Sequence, residues 1–179
     1  MVLEQFFGSK KTKFRCEFRE CGNRCCKNNL VVLNEDDIKR FNDGGIGIEE
    51  ITAPMELNQF LKTFGSPAMP VLEGLKVLYI KKDSGGNCIF LDAGTGRCRI
   101  YDTRPYLCRE FPFILSKSKI TSKDPACPGL DKGEEMSFDM LREYIGVKNM
   151  ERKPPYIIGE KSKTEMLTKL VGLMLKMKR

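Results

Sequence analysis

Eight cysteines and no histidine in 179 residues constrain this chain more than any other feature. Cys16, Cys21, Cys25 and Cys26 lie within eleven residues, while Cys88, Cys98, Cys108 and Cys127 are spread over forty. This density is below that of a disulfide-stapled secreted scaffold, and clustered thiols in a reducing compartment more often bind metal or do redox chemistry. Thiolates are the soft ligands that iron–sulfur clusters and zinc prefer, and short spacing lets a loop present several at low entropic cost. All eight cysteines are therefore candidate metal ligands. The lack of histidine excludes Cys–His nucleophilic chemistry and histidine-based zinc hydrolysis.

The remaining composition is that of a folded chain. Hydrophobic residues make up 41% and charged residues 31%, which supports a core and excludes disorder. The length suits one domain of ordinary size. The division expected is a cysteine-cluster domain over 1–150, then a connector and C-terminal amphipathic helix over 151–179. No apolar run approaches the eighteen or more residues of a spanning helix, and the N-terminus lacks the pattern of a secretory signal. The expectation is a cytoplasmic protein with no membrane contact. The formal charge of +7 counts every cysteine as neutral, whereas a tetrathiolate zinc site or a four-cysteine [4Fe–4S] centre nets about −2. Basicity thus makes no case for nucleic acid, and the lysine run at 10–13 lacks the interleaved aromatics that stack bases. A protein partner or protein substrate is expected instead.

Local signals divide the chain into short elements. Residues 30–33 read as extended. Asn34 is placed to cap a helix over about 35–41, with Glu35, Asp36 and Asp37 at its positive end. Pro54 reads as the first-turn residue of a helix reaching Phe64, with Leu57, Phe60, Leu61 and Phe64 on its apolar face. A strand is expected over 75–80. Residues 88–92 and 98–102 flank a Gly-rich turn and predict a hairpin. Pro105 then opens a turn of helix carrying Cys108. A helix over about 134–145 is stopped by Gly146, residues 152–159 connect, and Ser162-Lys-Thr-Glu165 matches a capping box for a helix reaching about residue 178. The fold class implied is α+β, a small cysteine-rich, metal-bound hairpin and loop core surrounded by three or four helices.

Cys25 and Cys26 are adjacent, and neighbouring side chains of an extended chain point to opposite sides. Ligands from both cysteine groups are therefore expected to converge, with one of the pair serving a second site or staying free. Arg104 and Arg109 are candidate cofactor-binding residues. They can donate hydrogen bonds to cluster sulfurs or clamp a substrate carboxylate or phosphate; the plainer alternative is an ion pair with Asp102 that fixes the turn. Tyr101 and Phe111 read as core.

In order along the chain, Cys21-Gly-Asn-Arg-Cys25-Cys26, Cys88-Ile-Phe-Leu-Asp92, Cys98-Arg-Ile-Tyr-Asp-Thr-Arg-Pro105, Cys108-Arg-Glu-Phe-Pro-Phe113 and Cys127-Pro-Gly-Leu130 resemble the motifs of the YkgJ-like CxxCxxCC family of zinc- or iron-chelating proteins. The usual C-x2-C-x2-CC opening is wider here, with four residues after Cys16 and three after Cys21. Relatedness to flagellin lysine N-methylases, which are larger, implies an iron–sulfur cluster (4Fe–4S) in preference to zinc. It also implies one alternative activity, S-adenosylmethionine-dependent protein lysine methylation. Whether the chain is an enzyme stays open. The radical S-adenosylmethionine pattern C-x3-C-x2-C is not completed, because position 28 is Asn, and no P-loop occurs. The expected function is a metal-binding protein with an accessory role in electron transfer, partner maturation or protein modification. A structural zinc module within a larger assembly is the remaining alternative.

Overall fold

The computed structural model describes residues 9–63, 65–116, 119–146, 153–160 and 164–165. In chain order the elements are β1 (Lys11–Phe14), α1 (Arg24–Asn28), α2 (Glu35–Asp43), α3 (Ile48–Ile51), β2 (Thr52–Glu56), α4 (Leu57–Lys62), a 3-10 turn (Pro70–Leu72), β3 (Lys76–Ile80), a second 3-10 turn (Tyr101–Thr103), α5 (Tyr106–Glu110), β4 (Phe113–Ser116), β5 (Lys119–Ser122), β6 (Leu130–Ser137), α6 (Phe138–Ile145) and β7 (Ile157–Ile158). They form two compact units. Unit one takes the described residues of Met1–Asn29 and Phe90–Met150, and unit two those of Leu30–Ile89 and Glu151–Arg179.

Unit one contains two antiparallel pairs, β1 with β6 and β4 with β5. Its core is apolar. Phe113, Ile120, Leu141 and Ile145 are buried, with Phe14, Tyr106, Leu115, Leu130, Met136 and Phe138 packed around them, and Phe14 meets Phe113 edge-on with ring centroids 5.2 Å apart. Helix α6 starts where the Ser137 hydroxyl accepts from the Met140 N–H at 3.3 Å, and stops at Gly146 in the left-handed region (φ 80°), a stop that glycine makes without steric cost.

Unit two is a three-stranded antiparallel sheet in the order β2-β3-β7. Residues 31–33 run along β3, with Leu33 N–H donating to Leu78 O and Ile80 N–H to Val31 O, each at 2.9 Å. Val32, Leu33, Phe41, Leu75 and Val77 are among the buried apolar residues. Asn34 caps α2 as expected, and the cap is reciprocal. Its Oδ1 accepts from Asp37 N–H at 2.9 Å while Asp37 Oδ2 accepts from Asn34 N–H at 3.2 Å.

The expected architecture is corrected. Helices and antiparallel sheets both form, but the described residues do not form a cysteine-rich core ringed by three or four helices. Six α-helices and seven strands occur among the described residues, both units have apolar buried residues, and all eight cysteines are only half-buried. A thiol-lined loop cluster has too little apolar surface to drive folding, so the packing comes from the Phe, Leu, Ile and Val positions.

Other elements differ for local reasons. Pro54 lies inside β2 opposite Leu78, and helix α4 begins only at Leu57. Because β2 is an edge strand, the missing proline N–H costs no ladder bond. Residues 134–137 are strand, not helix, since Lys11, Thr12 and Lys13 pair with Ser137, Met136 and Glu135. The expected hairpin is reduced to a closed turn. Asp92 N–H donates to Arg97 O and Arg99 N–H to Phe90 O, both at 2.8 Å, and Leu91 faces Cys98 in a single bridge. Part of the expected connector pairs with β3 as β7. Thr164 and Glu165 are helical; the remainder of the expected C-terminal helix lies outside the described residues.

Candidate metal centre

Seven of the eight cysteines belong to unit one, carried by five segments: the exit of β1 (Cys16), the turn and helix at 21–28 (Cys21, Cys25, Cys26), the closed turn (Cys98), α5 (Cys108) and the loop before β6 (Cys127). Cys88 belongs to unit two, where it bridges to Lys82 beyond β3. Cys25 and Cys26 open α1, so the extended-chain geometry expected of them does not apply. In a helix adjacent residues are about 100° apart, not 180°, and here the two sulfurs approach to 3.9 Å. Both thiols of the pair thus face one neighbourhood.

The segments act on one another electrically. Burial, then the Cys25 and Cys21 thiols, push Cys16 up to about 11. Burial also raises Cys98 and Cys127, with Cys25 contributing to both. Cys25 goes the other way, down to about 7, because the Cys26 thiol donates a hydrogen bond to it and the Arg104 charge favours the thiolate against the cost of burial. The lowered pKa makes Cys25 a ready ligand at neutral pH, since the thiolate is the metal-binding form. Among the described residues no three cysteine, aspartate or glutamate side chains stand close enough to hold one ion as they are.

Arg104 is a cation that several of the thiols share. Its guanidinium lies 3.5 Å over the Tyr101 ring, donates through Nε to Tyr101 O at 2.6 Å and through Nη2 to the Tyr144 hydroxyl at 2.9 Å. Burial opposes its charge, yet the Tyr144 and Tyr101 phenols and the Cys108 thiol hold its pKa above the usual value. It favours the thiolate at Cys16, Cys25 and Cys98 alike. Arg109 is placed differently. A Cβ on Gly146 would lie 2.6 Å from Arg109 Nη1, so this guanidinium sits at the C-terminal end of α6, where a cation suits the helix dipole. Tyr101, expected in the core, is 38% exposed and serves as the platform under Arg104.

Several residues around the thiols escaped the sequence reading. Asn23 is left-handed (φ 61°), as is Gly22 before it (φ 60°), and the Gly-Asn pair was a legible turn signal. Its amide does not cap α1 but donates to Gly96 O at 2.6 Å. The Arg24–Asp124 and Lys123–Glu110 pairs carried no local signal, being formed across long sequence separations.

The donor set suits a thiophilic metal, with more than four cysteines in one unit and a compensating cation. The family described as "Putative zinc- or iron-chelating domain" matches residues 15–128, more than half of the chain. The chain belongs to the CxxCxxCC family. This agrees with the resemblance drawn from the motifs and supports general metal binding by the cysteine cluster. A stretch of 34 residues is 53% identical to an uncharacterised protein of Methanocaldococcus jannaschii, covering 19% of this chain and 19% of that protein. No solved structure matches. Among the described residues, no helix is long and apolar enough to cross a membrane.

Proposed function

We propose that unit one holds a [4Fe–4S] cluster and that the protein serves an accessory role in electron transfer, partner maturation or protein modification. The observation that supports this is the set of thiols on four separate segments, Cys16, Cys25, Cys98 and Cys108, that share the Arg104 charge. A cubane cluster takes one thiolate at each iron and so draws its ligands from several directions. Cys25 is a ready thiolate at neutral pH, and Arg104 offsets part of the negative charge that four thiolates bring. Bound, such a cluster supplies one-electron chemistry. The residues of the chain hold it, limit water around it and set the charge beside it.

One observation favours zinc. The 3.9 Å between the Cys25 and Cys26 sulfurs is close to the edge of a ZnS4 tetrahedron, about 3.8 Å for Zn–S bonds of about 2.3 Å. Zinc would use the vicinal pair together. Metal and acid-labile sulfide analysis of protein purified without oxygen, with its visible spectrum, separates the two. Iron with sulfide and a broad band near about 400 nm, as expected of iron–sulfur thiolate clusters, supports the cluster. A colourless preparation with stoichiometric zinc overturns it in favour of the zinc reading.

A further inference from the structure

The thiol-bearing segments of unit one are joined to one another by contacts that contain no sulfur. Arg15 N–H donates to Gly129 O at 3.1 Å, tying the Cys16 segment to the loop of Cys127. The approach is so close that a Cβ on Gly129 would lie 2.4 Å from Arg15 O, so only glycine fits. The Arg24 guanidinium meets the half-buried Asp124 carboxylate at 3.0 Å, tying the vicinal pair to the same loop. Lys123, on that loop, pairs with Glu110 Oε2, and Tyr106 donates to Glu110 Oε1 at 3.0 Å; Glu110 is 2% exposed and ends the helix of Cys108. The Asn23 amide reaches Gly96 O at 2.6 Å and brings in the turn of Cys98. Five cysteine segments are thus connected, with the Cys127 loop as the hub.

A zinc finger unfolds without its ion because the ion supplies the folding energy outright. Unit one has an apolar core of its own and these ties besides. We propose that the sulfur-free ties keep unit one folded when its metal is removed, so that it loads and releases the metal as a folded protein, with Asp124 and Gly129 as positioning residues for the thiols. This rests on the metal-centre reading above. Each thiol that ligates gives its proton to solvent and takes one back on release, so the cycle needs no oxidant or reductant when the metal is zinc(II).

The test uses the full chain under reductant. Its metal is removed with a chelator, backbone protection is followed by amide hydrogen exchange, and zinc(II) is then titrated against a competing chromophoric chelator. Peptides covering β4, β5 and α6 are expected to stay protected within about threefold, and zinc(II) to bind the metal-free folded chain saturably, whichever metal it first carried. Full exchange of those peptides on metal removal overturns the proposal. Asp124→Ala and Gly129→Ala are expected to weaken zinc(II) affinity at least tenfold while α6 stays protected, with Asp124→Glu recovering part of the loss. Unchanged affinity in both variants refutes the positioning role. A wild-type chain that carries no metal and binds no zinc(II) sinks the metal-centre reading itself, a result distinct from bound metal whose removal unfolds unit one.

Discussion

Unit two and unit one solve the same folding problem with different means. Unit two is a sheet with a conventional apolar interior, a reciprocally capped helix and one cysteine. The described residues of unit one form two-stranded pairs and helices of five and eight residues, and the unit carries seven cysteines. Two-stranded pairs are marginal alone, and short helices leave terminal groups to be satisfied by neighbours. Polar links across loops take up that work around the thiols. The comparison teaches that most of the cysteines sit on the less regular unit, whose segments come from distant parts of the chain.

The sharpest way to break the comparison is to cut each interior once. Phe41 in unit two and Phe113 in unit one are both 1% exposed, and Phe→Ala at either is expected to cost about 3–5 kcal/mol in urea unfolding. Only Phe113→Ala should also lower the metal retained after gel filtration. Equal metal loss in both variants would mean that the thiols do not depend on unit one alone.

Next in size is the Glu110–Lys123 pair. Lys123→Ala strands a buried carboxylate, and about 2–3 kcal/mol of stability should be lost. That is below the usual range for a buried pair, because the lysine side chain is 31% exposed. A loss of the same size in Glu110→Gln, which leaves only the part-exposed Lys123 charge behind, would show that packing and not a buried charge is at issue.

Asn34→Ala removes one half of the α2 cap and should cost about 1 kcal/mol, with metal content unchanged. A change in metal content would tie unit two to the centre.

The finest distinction is titration of the metal-free chain. Cys25 lies below the ordinary thiol value of 9.0, at about 7, and Cys16 above it, at about 11. The stability that Cys25 contributes is present above pH 9 and is lost as pH falls through 7. That of Cys16 is present below pH 9 and is lost as pH rises through 11. Iodoacetamide labelling read by peptide mass should modify Cys25 with a midpoint near pH 7 and spare Cys16 at pH 8. The reverse order would contradict the role of the Cys26 hydrogen bond.

The amino-acid sequence alone determined whatever rests on groups a few residues apart. Asn34 with Asp37, the stop at Gly146 and the helix opened after Pro105 all follow from local backbone hydrogen bonds and dihedral preferences. The soft, histidine-free donor set follows from composition, and with it the class of ligand. Only the tertiary structure decided that Pro54 sits in an edge strand, that residues 134–137 pair with β1, and that Cys25 and Cys26 face one neighbourhood from a helix. It also decided that Arg104 serves the thiols while Arg109 serves the end of α6. A strand needs a partner and a charge needs a neighbour. Here such partners lie far apart in the chain, as in the Lys11–Glu135 link between β1 and β6 across 124 residues, where no local pattern can reveal them.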